Sequence, residues 1–275
     1  MELRLEELLE LVRLAAMAPA GLILEGFRNP ELQIDIKADG SVVTRFDRES
    51  EQLIRKIVAG AGPWPLLGEE FGMGAATTAA PTHRWVLDPI DGTVNFVYGI
   101  PSYAVSVAAQ VNGVSVAGAV ADVVGGRLYS AATGLGAHVT DAEGTRQLRC
   151  SAVDDLSLAL VGTGFAYSTR RRTVQAELVS KILPVVRDVR RIGSAALDLC
   201  MVAAGRLDAY YEHGLHVWDS AAGALIAAEA GARVVLPQPG DPERNAALVV
   251  AAAPGIADQL LAALAQFDGL APIPG

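Results

Sequence analysis

Residues 85–96 read WVLDPIDGTVNF and place Asp88 and Asp91 three positions apart at the end of an apolar run, with Pro89 between them and Gly92-Thr93 after. Two ionised carboxylates about 5 Å apart at an effective dielectric near 20 repel by roughly 3 kcal/mol. Such a pair either takes up protons or shares a cation, and a cation turns the repulsion into attraction. Asp47, Glu69 and Asp219 stand, like this pair, at the beginning or end of predicted elements. In open α/β sheets the C-terminal ends of strands and the N-termini of helices converge on the functional crevice, so acids placed this way can meet across long stretches of chain. An all-oxygen donor set without Cys or clustered His selects Mg2+, Mn2+ or Ca2+ over zinc.

The rest of DPIDGT suits that chemistry. Pro89 stiffens the backbone and aims the Ile90 carbonyl as a further oxygen ligand. Gly92 permits close approach of a ligand, and its N–H, with that of Thr93, can meet phosphate oxygens if a helical turn starts there. The Thr93 hydroxyl can orient a water. Each piece alone has a plainer reading: D-P-x-D-G as an acidic turn, Glu69-Glu70 as a solvated loop, Asp219 as the N-cap of the helix that follows. The spacing is not that of an EF-hand loop, and no complete G-x-G-x-x-G, G-x-S-x-G or Walker A pattern occurs. His83, His138, His213 and His216 lack the spacing of metal-ligating pairs, with His216 placed to orient neighbours of Asp219.

The elements that must position these groups follow from periodicity. A first helix, MELRLEELLELVRLAAMA, is amphipathic and charged throughout, unlike a signal peptide. IDIKADGSVVTRFD predicts a hairpin turning at Asp39-Gly40, and the helix after it sets Asp47 and Glu51 one turn apart on one face. LLGEEFGMG puts its carboxylates at the end of a short strand. RWVLD, YAVSVAAQV, VSVAGAVADVV, GRLYSAA and GAHVT read as a meander. From about residue 154, strand SLALVGTG, a helix over 173–186, strand RDVRRI, helix SAALDLCMVAAG, strand RLDAYYE, helix WDSAAGALIAAEAG, strands ARVVL and AALVVAAA and a last helix alternate. The pattern predicts two fused α/β lobes, 1–147 with most of the acids and 148–275 with Asp219. The TTAAP stretch over 77–81 reads either as a flap beside Glu69 or as an inert loop.

The chain has 275 residues and a formal charge of −9, which argues against nucleic acid or an anionic membrane as partner. Arg170, Arg171 and Arg172 form a dense basic run, read first as a solvated face and second as a contact to an anion or a second subunit. Cys150 and Cys200 are too far apart in sequence to suggest a disulfide framework, and no long uncharged apolar run is present, so a cytoplasmic protein is expected.

Taken together, GEEFG, WVLDPIDGTVNFVYGIP and RRIGSAALDLCMVAAGRLDAYYEHGLHVWDSAAGALIAAEAGARV, in that order, resemble the inositol monophosphatase family of metal-dependent, lithium-sensitive phosphatases. The resemblance covers about residues 30–255. It implies an αβαβα five-layer sandwich of the sugar-phosphatase type, usually homodimeric. It implies two or three Mg2+ per site, replaceable by Mn2+ and inhibited by Li+, held by Glu69, Asp88, the Ile90 carbonyl, Asp91 and Asp219. Thr93 with Asp47, beside Glu69, would activate the attacking water. Gly92 and Thr93 would hold the phosphate, Asp91 would also count among the substrate-binding residues, and Gly193, Ser194, Ala195, Glu212 and Asp219 would face the alcohol. Lys37 matches the lysine of a mobile metal-site loop. Val94 stands where many members carry a second Thr, while the catalytic hydroxyl belongs to Thr93.

The expected reaction is hydrolysis of a small phosphate monoester, myo-inositol 1-phosphate first, without a covalent intermediate. Histidinol phosphate, fructose 1,6-bisphosphate and an adenosine 3′,5′-bisphosphate are alternative substrates. The reading from another class is a catalytically silent dimeric scaffold, which should have lost at least one of Glu69, Asp88, Asp91, Thr93 or Asp219, and none is missing.

Overall fold

The computed structural model describes residues 4–27, 32–37, 40–73 and 82–275. Asp39 of the expected hairpin turn and the TTAAP stretch lie outside the described residues. The element order is α1 (Leu5–Met17), α2 (Ala20–Phe27), β1 (Ile34–Ile36), β2 (Val42–Thr44), α3 (Arg45–Ala59), β3 (Leu66–Gly68), β4 (Gly72–Met73), β5 (His83–Asp91) and α4 (Thr93–Val97). Then come β6 (Ala104–Val111), β7 (Val114–Asp122), β8 (Arg127–Ala132), β9 (Gly136–Asp141), β10 (Gly144–Gln147), β11 (Leu160–Thr163), α5 (Thr169–Ile182) and β12 (Asp188–Arg190). The chain ends with α6 (Ala195–Ala203), β13 (Ala209–His213), α7 (Val217–Glu229), β14 (Arg233–Val235), β15 (Leu248–Ala252) and α8 (Pro254–Gln266).

Three apolar clusters organise these elements into five layers. One joins α1, α2 and α3 to an eight-stranded sheet of order β10-β9-β8-β7-β6-β5-β3-β4. A second joins the opposite face of that sheet to α6 and α7, and these to a five-stranded sheet of order β12-β11-β13-β15-β14. The third lies between the far face of the small sheet and α5 and α8. The architecture is therefore α/β/α/β/α.

Both faces of each sheet are covered, which explains why strands read as unbroken apolar runs. Along β6, Ala104 and Ala108 face α7 while Val105, Val107 and Ala109 face the outer helices. Along β15, Val249 and Ala251 face inward while Leu248, Val250 and Ala252 meet α8.

Helices α6 and α7 are buried on nearly every side, as a helix between two sheets must be. Their sequences are therefore apolar all round and rich in Ala and Gly. A Cβ on Gly118 of β7 would come within 2.9 Å of Ala222 Cα in α7, and one on Gly223 within 2.8 Å of Leu199 Cβ in α6.

Local differences from the sequence reading have local causes. The helix expected over 173–186 begins four residues earlier because the Ser168 hydroxyl caps it by accepting from Arg171 N–H. Strand β10, charged and exposed, escapes an apolar criterion and exists by pairing with β9. Helix α2 and the short α4 were likewise not anticipated as separate helices. Asp219 is not the N-cap of its helix: His216 is, and Asp219 sits three residues on, accepting from His216 N–H.

Because β7 and α7 touch at backbone distance, Gly118→Val is expected to cost about 1–3 kcal/mol of stability. Urea unfolding would show this as a lower midpoint at an unchanged slope; an unchanged midpoint would mean the two layers have slack.

Candidate active site

Strands β3 and β5 pair in parallel, so the turn after β3 and the end of β5 deliver Glu69, Asp88 and Asp91 to one edge. In a regular strand, residues three apart face opposite sides. Here Asp88 pairs with Ser106 and Asp91 with Ala104, so the extra residue of a bulge at Pro89-Ile90 returns both carboxylates to the α7 side. Proline suits a bulge because it brings no N–H to the ladder. Asp219, from the first turn of α7, completes the group: Asp88, Asp91 and Asp219 each offer an oxygen, all within 4.8 Å of one another.

Each of these carboxylates is aimed by donors from the chain. Ile90 N–H donates to Asp88 Oδ1 at 3.0 Å. Ser194 Oγ–H and Ala196 N–H donate to Asp91 Oδ2 at 2.6 and 2.7 Å, and His216 N–H donates to Asp219 Oδ2 at 2.7 Å. Among the described residues none of the three forms an ion pair. Burial first, then neighbouring carboxylates, raise Asp88 and Asp219 well above the usual carboxylate range. Burial lifts Asp91 to about 6, against the pull of its Ser194 and Ala196 donors. Buried, converging oxygens with no protein cation between them, and no sulfur or imidazole in the set, fit a hard divalent cation.

Glu69 stands at the rim, where Lys37 Nζ donates to its Oε1 at 2.9 Å and to Glu70 Oε1 at 2.7 Å. Burial pulls the Lys37 ammonium down, but the two glutamates outweigh it and hold the group above its usual range. Glu51, wholly buried, accepts from Glu70 N–H at 2.8 Å and Phe71 N–H at 3.3 Å and pairs with Arg55, fixing the turn that presents Glu69.

Thr44 caps α3, and both its N–H and hydroxyl donate to Asp47 Oδ2, at 2.8 and 2.6 Å. Thr93 Oγ1 lies 3.1 Å from Asp47 Oδ1 and 2.9 Å from the Ile90 carbonyl oxygen, two acceptors for its one proton. Burial raises Asp47 to about 7 despite the Thr44 donors.

Lys37, Glu69, Asp88, Ile90, Asp91, Thr93 and Asp219 line one cavity of about 610 Å³, with Gly92, Gly193, Ser194, Ala195 and Glu212, while Thr44, Asp47, Glu51 and Glu70 support it from behind. Gly92 has φ +98°, and a Cβ there would come within 3.0 Å of Ser102 O and 3.1 Å of Gly193 O. Asn95 ties the same turn to the neighbouring loop, donating to Ser102 O at 2.7 Å and Ile192 O at 2.9 Å. Tyr210 O–H donates to Glu212 Oε2. Burial raises Glu212 to about 7 although that donor opposes it.

Sequence reasoning missed several lining residues. Arg171 is not part of a solvated face: its Nε donates to Ile273 O at 2.7 Å and the side chain reaches the cavity, whereas Arg170 and Arg172 are exposed. Arg191 also lines it, as does Asp198, buried in α6 with Oδ1 unpartnered among the described residues and its acidity weakened by burial. A lone acid in the apolar SAALDLC was the available signal for Asp198. No such signal separated Arg171 from its neighbours.

Comparison with known proteins gives the family of the chain. The model of the inositol monophosphatase family matches residues 4–269. An inositol-1-monophosphatase of Mycobacterium leprae is 71% identical over 234 residues, 84% of this chain and 80% of that protein. The structure of Mycobacterium tuberculosis SuhB superposes with a TM-score of 0.80 at 58% identity, covering 96% of each chain. A protein of Pasteurella multocida named Nus factor SuhB is 38% identical over 250 residues, 90% of this chain and 91% of that one. The chain belongs to the inositol monophosphatase family, whose members are metal-dependent, and it is a phosphatase.

Proposed function

We propose that this phosphatase hydrolyses a small phosphate monoester with Mg2+, and that myo-inositol 1-phosphate is the preferred substrate. The observation that carries the reading is the Asp88, Asp91 and Asp219 oxygen cluster in a cavity that Glu212 also lines, where it can meet hydroxyl groups. The name of the Mycobacterium leprae relative supports the choice of ester. Two or three Mg2+, replaceable by Mn2+, would be held by Glu69, Asp88, the Ile90 carbonyl, Asp91 and Asp219, with Li+ as an inhibitor. When bound, the ions supply Lewis-acid polarisation of the phosphoryl group and lower the pKa of water.

The chain's own residues do the rest. With its proton given to Asp47, the Thr93 oxygen is an acceptor that orients water, and Asp47 is the sink for the proton. Gly92 lets the phosphate approach the backbone. Lys37, Arg171 and Arg191 place positive charge around the cavity, which a dianion needs in a chain of net charge −9. Glu212, fixed by Tyr210, accepts from ring hydroxyls, with Gly193, Ser194 and Ala195 shaping the wall beside it. Action as a cytoplasmic homodimer is part of this reading. So is a division into lobes 1–147 and 148–275, supported by each sheet's coming from one side of it.

The Pasteurella relative's name raises a second reading, a non-catalytic binding scaffold. The presence of every residue the hydrolytic reading requires weighs against it.

Asp91→Asn should fold and lose at least about 100-fold in kcat, and excess EDTA should abolish phosphate release from the wild type. Wild-type rates in either experiment would remove the metal reading. Phosphate release across inositol 1-phosphate, histidinol phosphate, fructose 1,6-bisphosphate and adenosine 3′,5′-bisphosphate tests the substrate; kcat/KM highest for another ester would reassign it. Glu212→Gln should lower kcat/KM for the inositol ester about tenfold.

Stability carries a separate signature. Asp47, Asp88, Asp91, Asp219 and Glu212 have folded pKa values above their unfolded ones, so the stability they contribute is present at low pH and lost as pH rises through those raised values, about 6 for Asp91 and about 7 for Asp47 and Glu212. In EDTA, Tm should fall between about pH 5 and pH 8, and Mg2+ should raise Tm more at pH 8 than at pH 5. A metal-free Tm that climbs across that window would contradict this assignment of charge.

A further inference from the structure

A second cavity, of about 640 Å³, lies on the other side of His216 and Trp218, whose stacked rings line both spaces. Its polar walls are Arg84, Arg244, Asn112, Asn245 and Asp241. None of these serves the hydrolytic site.

Arg84 occupies an unexpected position. It precedes Trp85 and Val86 on β5, and alternation turns it to the α7-facing side with Val86. Its cross-strand partner on that face is Gln110, two residues beyond apolar Ala108. Two long polar side chains thus replace apolar ones at the end of a packed layer. Gln110, itself buried, accepts from Arg84 Nε at 2.8 Å and donates to Ser115 Oγ at 3.2 Å, so the guanidinium is held in one orientation. Among the described residues its two terminal nitrogens have no partner.

Arg244 donates to Pro237 O at 3.2 Å, and neither arginine forms an ion pair among the described residues. Burial, and then the charge of Arg244, depress the pKa of Arg84; burial also depresses Arg244, with Asp241 acting against it. Two half-buried guanidiniums repel each other across a space that holds one carboxylate. That is the complement of the acid cluster: a cavity short of an anion.

We propose that this cavity binds a phosphate-class oxyanion, through the free guanidinium fork of Arg84 and the Arg244 side chain, with the Asn112 and Asn245 amides at its edge. A forked guanidinium matches two oxygens of a tetrahedral anion, which an ammonium cannot.

Isothermal titration of inorganic phosphate into the full chain tests this in EDTA, where the catalytic carboxylates repel anions. One saturable site is expected, with Kd on the order of 1 mM or tighter. Arg84→Gln and Arg244→Gln should each weaken it at least tenfold while phosphatase activity at low phosphate stays at the wild-type level. Arg84→Lys, which keeps the charge and stem, should lose affinity to a smaller degree and carries the test if the Gln variants fail to fold. Glycerol 2-phosphate in a parallel titration separates the sources: tighter binding assigns the cavity to a phosphate ester, equal or weaker binding to free phosphate. Absence of saturable heat, binding unchanged in both Gln variants, or wild-type affinity in Arg84→Lys would overturn the proposal.

Discussion

The structure is organised around the repulsion among carboxylates that cannot move apart. Asp88, Asp91 and Asp219 bring oxygens within 4.8 Å, and each is held by a hydrogen bond from Ile90 N–H, from Ser194 and Ala196, or from His216 N–H. Those donors satisfy one oxygen and fix the direction of the other. Taking a carboxylate out of water costs several kcal/mol, and a like-charged neighbour adds to it. Protons or a cation are the available relief, and the rigidity of the surroundings makes a cation the more effective one. The same donors that hold the acids in an unfavourable arrangement make that arrangement ready for metal.

Rigidity comes from the layers. Helix α7 packs against both sheets and carries Asp219 in its first turn, so any sliding of α7 moves a site residue against strands that cannot follow. Gly118 and Gly223 remove the side chains that would hold β7, α6 and α7 apart. Asn95 and the Gly92–Gly193 contact join the two parts of the chain directly at the site. The abundance of Ala and Gly is therefore a condition of the chemistry: larger residues would widen the layers and spread the carboxylates.

Charge is distributed by position. The catalytic cavity sets the acids Glu69, Asp88, Asp91, Asp198, Glu212 and Asp219 against Lys37, Arg171 and Arg191, so its lining is acidic on balance, whereas the second cavity carries Arg84 and Arg244 against Asp241. Low-dielectric walls strengthen a local field relative to the net charge of a solvated surface, so each cavity selects its ligand by its own lining and not by the −9 of the whole chain.

What the sequence determined by itself was local and chemical. The alternation of apolar runs and helical patches specified the order of elements and the mixed α/β class, because both depend on neighbours within a few residues. DPIDGT, TRFD, GEEFG and the WD before an Ala-rich helix named the acids and Thr93. Tertiary structure alone decided which of them meet. The bulge that turns Asp91 to the side of Asp88 depends on pairing with β6, and Asp219 reaches them only because α7 lies between the sheets. Tertiary structure also took Arg171 from the basic run and gave it to the cavity, buried Asp198, and left Arg84 facing Arg244. Contacts between residues a hundred or more positions apart leave no mark on local periodicity, since the same pattern fits any arrangement that covers the same apolar faces.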